Sequence, residues 1–118
     1  MSQQIGFAAE KQARDYLVKQ GLRWLTSNYR CRWGEVDLIM SEGDYLVFVE
    51  VRSRVSSAYG GALESITHVK RQKILKTATH YMIAKNRYNT CSARFDVLCI
   101  QGVDMRMEWI KNAFGSDF

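Results

Sequence analysis

The sequence predicts an α/β domain of the α+β sandwich kind, in which helices flank a mixed β-sheet. Three observations lead to this prediction. Two segments carry apolar residues at helical spacing, and five short segments are rich in β-branched and aromatic residues. Their order along the chain is helix, three strands, helix and two strands. The long helix between the third and fourth strands favours a crossover that makes those two strands parallel.

The length and composition are those of one globular domain. The length of 118 residues fits a single domain over 1–118, and the 47% of hydrophobic residues argue against disorder. The chain shows no signal-peptide pattern and no segment near the roughly 20 apolar residues of a membrane span. Its three cysteines form no CxxC pattern, which is typical of reduced thiols. We therefore expect a cytoplasmic protein with no membrane partner.

The first helix is predicted over residues 4–20. Ala9, Ala13 and Leu17 recur at helical spacing along this segment. Gly21 is a suitable C-cap, because glycine adopts a left-handed backbone conformation without steric cost.

The remaining elements follow from residue type and spacing. Strands are predicted at 22–31, 35–40, 45–52, 93–100 and 105–111. Residues 53–64, which are rich in Ser, Gly and Ala, are predicted to form a loop. A long helix is predicted over 66–86, with Ser65 as its N-cap. The apolar stripe of this helix consists of Ile66, Ile74, Ala78, Tyr81 and Met82.

Basic residues dominate two long stretches of the chain. There are 17 Lys and Arg against 12 Asp and Glu, which gives a net charge of +5. Residues 65–95 and 16–34 contain no acid at all. Such stretches suit a polyanion such as nucleic acid, although a solvated basic surface has the same composition.

The stretch GEVDLIMSEGDYLVFVEVRSR, residues 34–54, is predicted to be a hairpin with acids in otherwise apolar strands. Because side chains alternate across a strand, the apolar residues at 36, 38 and 40 should share one face. Glu35 and Asp37 should share the other face.

The position of the turn decides which acids meet. A two-residue turn at 43–44 places Asp37 opposite Glu50, and Glu35 opposite Arg52. A turn one residue earlier makes Asp37 a diagonal neighbour of Glu50 instead. In both registers the acids lie on one face.

Opposed carboxylates destabilise a sheet unless a cation accompanies them. A hard divalent ion such as Mg²⁺ or Mn²⁺ is commonly held by one or two carboxylates together with phosphate oxygens. Asp37 and Glu50 are therefore candidate metal ligands. The alternative is an ion pair between Glu35 and Arg52, with Asp37 at a solvated end of the sheet.

Glu10 is a third candidate ligand. It lies in a row of small and apolar residues on the first helix, which indicates a face directed inward. The alternative is a first-turn acid that complements the helix dipole. His68 and His80 lie twelve residues apart with no cysteine at ligand spacing, so solvated helix positions are the simpler interpretation.

Four motifs extend over nearly the whole chain: GFAAEKQARDYL at the start, GEVD, FVEVR and the later RFDVLCI. Glu50 follows Asp37 by thirteen residues. In combination these motifs resemble the bacterial YraN family. That family is similar to the archaeal Holliday junction resolvases and to the restriction-endonuclease-like superfamily. The resemblance implies a restriction-endonuclease-like mixed sheet flanked by helices, in a single nuclease-like domain.

The superfamily pattern is an acid, a spacer and then Asp/Glu-x-Lys on the next strand. By this resemblance Asp37 matches the first acid, Glu50 the second and Glu10 the helix acid of the resolvases. Glu35 belongs to the GE-x-D motif of the YraN type and joins the catalytic candidates. Arg52 stands where the superfamily has lysine. Arginine stabilises developing negative charge, but it cannot act as a base because it stays protonated.

The resemblance implies a metal-dependent endonuclease of the Holliday junction resolvase type, with Mg²⁺ or Mn²⁺ as cofactor. Its expected partner is DNA in the form of a junction, flap or single strand, because no base-reading element is evident. A homodimer is compatible with the resemblance, since a junction has symmetric arms. The candidate phosphate contacts are Lys70, Lys73, Lys76, Arg54 and Arg71.

Two other functions have support in the sequence. Arg52 in place of lysine suits a nucleic-acid-binding module that kept the fold without the catalysis. The aromatic stretch MEWIKNAFGSDF suits a protein-interaction scaffold anchored by Trp109, Phe114 and Phe118. The alternative is that Trp109 and Ile110 complete the core.

Overall fold

The computed structural model describes residues 2–54, 66–87 and 91–115 and contains the predicted elements in the predicted order. The helices are α1 (Ser2–Lys19) and α2 (His68–Ala84). The strands are β1 (Arg23–Cys31), β2 (Gly34–Glu42), β3 (Tyr45–Arg54), β4 (Ser92–Gln101) and β5 (Arg106–Phe114). The predicted fold class is confirmed. Within the described ranges, neither helix has the length and hydropathy needed to span a membrane.

The five strands form one mixed sheet in the order β1-β2-β3-β4-β5. Strands β3 and β4 are parallel, as the helix between them predicted, and the other neighbouring pairs are antiparallel. The crossover through α2 therefore returns the chain to the edge of β3 opposite β2. Most of the predicted loop between β3 and α2 lies outside the described residues.

Helix α1 ends at Gly21 as predicted. Gly21 has a left-handed φ of 105°. The N–H of Leu22 donates to the carbonyl of Leu17 at 3.1 Å, and the N–H of Gly21 donates to that of Val18 at 3.0 Å. These two bonds form a Schellman motif, which satisfies carbonyls left free at the end of the helix. Leu22 is buried, so the motif turns the chain directly into β1.

Helix α2 begins later than predicted. Its N-cap is Thr67, whose side chain accepts a hydrogen bond from the N–H of Lys70, and the helix starts at His68. The predicted N-cap, Ser65, lies outside the described residues. Ile66 is buried as expected but precedes the helix. The prediction of the start was wrong for two reasons. Serine and threonine are both good N-cap residues, so the sequence does not choose between Ser65 and Thr67. Ile66 is apolar and buried, so it looks like part of the helix although it precedes the N-cap.

The sheet separates two apolar clusters. The α1-side cluster consists of Ala9, Ala13, Leu17, Leu22, Leu38, Met40, Val47, Val49, Val51, Leu98 and Ile100. The α2-side cluster consists of Val36, Ile39, Leu46, Phe48, Ile66, Ile74, Ala78, Tyr81, Met82, Phe95, Val97, Cys99 and Phe114. Both faces of β3 and β4 are therefore buried, which explains why their sequences are apolar at nearly every position.

Asp96 is a fully buried carboxylate that ties β4 to β5. Arg94 donates to both of its oxygens at 2.9 Å, Trp109 Nε1 donates at 2.9 Å, and so does the N–H of Asn112. Arg94 also pairs with Glu42 of β2 at 2.6 Å. These bonds compensate the buried charge, so Asp96 has a structural role.

The aromatic residues of β5 complete the fold. Phe114 is only 6% exposed and stacks on Phe95, with ring centroids 5.4 Å apart. Trp109 packs against the α1-side cluster. Phe118 lies outside the described residues. These contacts favour completion of the core over an anchor for a partner.

Replacing Asp96 with alanine is expected to lower the free energy of unfolding by about 3–5 kcal/mol, because Arg94 loses a buried partner and two N–H groups lose their acceptor. Urea denaturation measures this change. Asp104→Ala is the control, since its contact with Arg106 is exposed, and it should change stability by less than about 0.5 kcal/mol. Equal losses in the two variants would contradict the structural role of Asp96.

Candidate functional site

The hairpin of β2 and β3 has the register that a turn at 43–44 predicts. Pairs run without interruption from Glu42↔Tyr45 to Leu38↔Val49. Gly43 has a φ of 58°, which this tight turn requires. Beyond Leu38 and Val49 the regular pairing of the two strands ends, and the next residues are Asp37 and Glu50.

Asp37 and Glu50 each bind the backbone of the other strand. The N–H of Asp37 donates to Oε2 of Glu50 at 3.3 Å, and the N–H of Val51 donates to Oδ2 of Asp37 at 2.8 Å. These carboxylates take the place of strand-to-strand bonds where the strands separate. The structure thus brings together the two acids that the register predicted to meet.

The regular alternation of β2 is interrupted at Asp37. Val36 packs in the α2-side cluster, whereas Leu38 packs in the α1-side cluster. The prediction that these two residues share a face is therefore wrong. Asn28 of β1 lies opposite Asp37 in the register and has a left-handed φ of 54°, which distorts the ladder at this point.

Burial raises the pKa of both carboxyl groups. Desolvation and the adjacent charge of Asp37 raise the pKa of Glu50, which is 6% exposed, to about 8. Desolvation is also the largest cause for Asp37, whose pKa rises to about 6, while the N–H of Val51 and the charge of Arg52 act against the rise. Burial therefore favours a protonated form of the pair.

Arg52 is the cation beside the pair. Its guanidinium lies 3.4 Å from Oε1 of Glu50 and 4.0 Å from Oδ2 of Asp37. Glu35 forms its ion pair with Arg30 of β1 instead. The expected pairing of Glu35 with Arg52 is wrong, because β2 has already separated from β3 at residue 35 and pairs there with β1 alone.

Helix α1 brings Glu10 to the same place. The first turn of α1 contains no acid, so Glu10 does not have the helix-dipole role considered above. Burial raises the pKa of Glu10, a hydrogen bond with Asn28 lowers it, and the charge of Glu35 raises it further. Asp37 also lies within hydrogen-bonding reach of Glu10. Sequence reasoning missed Asn28, because asparagine in a strand gives no signal of its contacts.

The acids gathered around Asp37 could offer a metal ion only oxygen ligands. In the described part of the chain, no three His, Cys, Asp or Glu side chains are arranged as a ready metal site. Asp37 and Glu50 supply two buried carboxylates, which is the donor type that hard divalent cations take. His80 lies apart from them, where its Nδ1 shares a hydrogen bond of 2.6 Å with the hydroxyl of Tyr29.

Helix α2 carries three exposed lysines and packs on the start of the strand that carries Asp37. Gly34, the first residue of β2, has a φ of 152°, and a Cβ there would lie 3.5 Å from the Cβ of Lys73. The start of β2 thus packs closely against α2. The exposed basic residues along this part of the helix are Lys70, Lys73 and Lys76.

Two other predicted phosphate contacts differ from these lysines. Arg71 donates from Nε to the carbonyl of Ile66 at 2.9 Å, and its guanidinium lies 5.5 Å from the ring centroid of Phe114. These contacts hold part of its side chain against the protein, and its predicted contact with phosphate stays a prediction. The side chain of Arg54 lies outside the described residues.

Most of the chain matches a known family. Residues 9–100 match the model described as Uncharacterised protein family UPF0102. The chain belongs to the UPF0102 family. This finding confirms the predicted membership in the YraN family. The matched region includes Glu10, Asp37, Glu50 and Arg52.

UPF0102 relatives match nearly the full length of the chain. A UPF0102 protein of Legionella pneumophila subsp. pneumophila (strain Philadelphia 1) is 51% identical over 114 residues, which cover 97% of each chain. One of Pseudomonas fluorescens (strain Pf0-1) is 44% identical over 96% of this chain and 94% of its own. One of Enterobacter sp. (strain 638) is 47% identical over 97% and 86%. Their names state the family and no activity.

The stability of this UPF0102 protein is expected to fall as the pH rises from about 5 to about 8. The pKa values of Asp37 and Glu50, about 6 and about 8, exceed their ordinary values of 3.8 and 4.5. The folded state therefore binds more protons than the unfolded state in this window, and the stabilisation present at low pH is lost as the pH rises. Urea denaturation at several pH values in the presence of a chelator measures the effect.

Glu50→Gln should flatten this profile, because glutamine does not titrate. Glu108→Gln, an exposed acid of β5, is the control and should keep the wild-type profile. A wild-type profile in the Glu50→Gln protein would show that Glu50 is not the titrating group.

Proposed function

We propose that this protein is a metal-dependent endonuclease of the resolvase type, which hydrolyses phosphodiester bonds in structured or single-stranded DNA. The observation that carries the proposal is the buried pair of Asp37 and Glu50 at the separation of β2 and β3. Arg52 and Glu10 lie beside the pair. The motif resemblance to the archaeal Holliday junction resolvases supports the same reading.

The chemistry of the pair suits Mg²⁺ or Mn²⁺. Each carboxylate has one oxygen held by a backbone N–H, so its orientation is set before any ion arrives. The buried acids have raised pKa values, and a cation would favour their charged forms. When bound, such an ion supplies polarisation of the scissile phosphate and acidification of a water molecule.

Arg52 and Glu10 take separate roles in this proposal. Arg52 stabilises negative charge that develops on the phosphate, because its guanidinium already faces both acids. It cannot accept the proton of the attacking water. Glu10 is the proposed acceptor, because it is only half-buried and lies beside Asp37. Glu35 positions the start of β2 through its pair with Arg30.

The surroundings of the site suit a nucleic acid partner. The lysines of α2 would contact phosphates on one side of the scissile bond, which positions a strand without reading its sequence. A homodimer would present two such sites to the symmetric arms of a junction. Cys31, Cys91 and Cys99 are thiols and not disulfides, in keeping with the proposed cytoplasmic location.

Asp37→Asn and Glu50→Gln are each expected to reduce Mn²⁺-dependent cleavage by about 100-fold or more, because each removes a charged oxygen donor. The assay uses labelled four-way junction, flap, duplex and single-stranded DNA with Mn²⁺ or Mg²⁺. Asp44→Asn, in the exposed turn of the same hairpin, should cleave as the wild type does. Full activity in the Asp37 and Glu50 variants would rule out this site.

One observation favours a second candidate, a nucleic-acid-binding module without catalysis. Arg52 already pairs with both acids, and it stands where the superfamily has a lysine. Salt-sensitive binding of DNA by the wild type, with all four substrates left intact, would select this alternative.

Mn²⁺ binding is expected to strengthen as the pH rises from 6 to 8, by up to about tenfold per pH unit, because the ion must displace the proton of the acid pair. Isothermal titration calorimetry in buffers of different ionisation enthalpy measures both the affinity and the released proton. Glu50→Gln should bind weakly at every pH, whereas Asp44→Asn should match the wild type. Binding by the wild type that does not change with pH would contradict a site formed by the acid pair.

A further inference from the structure

We propose that Trp33, in the turn between β1 and β2, stacks on an unpaired nucleobase of a single-stranded nucleic acid. This inference rests on the proposed function and makes its substrate more specific. The substrate would carry at least one unpaired base within a few nucleotides of the scissile phosphate.

Trp33 is exposed and surrounded by positive charge. Its side chain is 39% exposed. The guanidinium of Arg32 lies 4.6 Å from the ring centroid, and the ammonium of Lys76 lies 4.7 Å from it. Aromatic rings combined with cations bind single strands, because the ring stacks on a base while the cations attract the phosphates. Lys76 has a flexible stem, so it can move from the ring to a phosphate when a base arrives.

The Trp33 ring forms one wall of a pocket of about 460 Å³ between this turn and α2. That volume is within the range of small-ligand sites. The pocket combines apolar side chains, which suit the face of a base, with polar side chains, which suit its edge. Its other lining residues are Gln72, Leu75, Lys76, Thr79, His80 and Ile83.

The Trp33 wall of the pocket lies close to Asp37 along the chain. Trp33 precedes Asp37 by four residues, which corresponds to about 13 Å along a strand at about 3.3 Å per residue. Lys73 packs against Gly34 between these two points. A strand with one base on Trp33 would therefore pass Lys73 and reach Asp37 within a few nucleotides. A base inside a duplex is already paired and stacked, so it would first have to leave the helix.

Trp24 provides a matched control. It is 44% exposed, and the guanidinium of Arg14 lies 4.9 Å from its ring centroid. However, Trp24 lies at the opposite end of β1, and its Nε1 donates to Ser27 at 3.0 Å. The two tryptophans therefore share exposure and a cation, but Trp33 lines the pocket against α2, whereas Trp24 lies beside Arg14 of α1.

The test measures binding by fluorescence anisotropy, with a chelator present so that cleavage does not interfere. The probes are an oligothymidine, an abasic sugar–phosphate oligomer of equal length, a blunt duplex and an oligouridine. Trp33→Ala is expected to weaken binding of the oligothymidine by about tenfold or more and to leave the abasic oligomer unchanged. Trp33→Phe should retain most of the affinity, and Trp24→Ala should bind as the wild type does. The oligouridine shows whether the stacked base comes from DNA or RNA.

The outcomes separate the two proposals. If the wild type binds no probe, the stacking role fails, whereas the proposed function stands or falls on the separate cleavage assay with Mn²⁺ and four-way junction or flap DNA. If the wild type binds but Trp33→Ala binds equally well, or loses the abasic oligomer to the same extent, only the stacking role is overturned. Loss of a dimer in size-exclusion chromatography of Trp33→Ala would assign the pocket to a second copy of the chain and would also overturn it. Circular dichroism checks that each variant is folded.

Discussion

The exchange of hydrogen bonds between Asp37 and Glu50 is the interaction on which the site depends. As far as Leu38 and Val49, β2 and β3 satisfy each other's backbone groups. Past that point the side chains of Glu50 and Asp37 accept hydrogen bonds from the backbone N–H groups of Asp37 and Val51. The strands therefore separate without leaving these two donors unpaired. Burial at this point raises the pKa of both acids, whereas each of these backbone hydrogen bonds lowers it.

The two helices bring side chains of opposite charge to β2 near the point where it separates from β3. Ala9 and Ala13 pack α1 closely on the sheet, and Glu10 lies on the same helix near Asp37. On the other face, the close contact of Gly34 with α2 brings exposed lysines to the start of β2. An acidic centre with a basic flank is the arrangement that a phosphate backbone approaching a cation requires.

Two buried acidic sites in the described residues differ in how fully their carboxylates are paired with hydrogen-bond donors and cations. Asp96 has Arg94 on both oxygens, together with an indole N–H and a backbone N–H. Its charge is compensated, and it ties two strands together. Asp37 and Glu50 share Arg52, and the charge of Asp37 disfavours the charged form of Glu50. Incomplete compensation of this kind is characteristic of sites that await a ligand.

The sequence by itself determined the order of the elements, the mixed sheet and the hairpin that carries Asp37 and Glu50 on one face, and the structure selected between its two possible registers. The elements and the hairpin follow from local periodicity and a short turn, and the parallel pairing follows from the helix that connects β3 to β4. Only the tertiary structure decided that Arg30, not Arg52, pairs with Glu35, that Asn28 reaches Glu10, and that α2 forms a pocket with the β1–β2 turn. These contacts depend on where a strand is distorted and how a helix is seated, which are set by packing between elements distant in the chain.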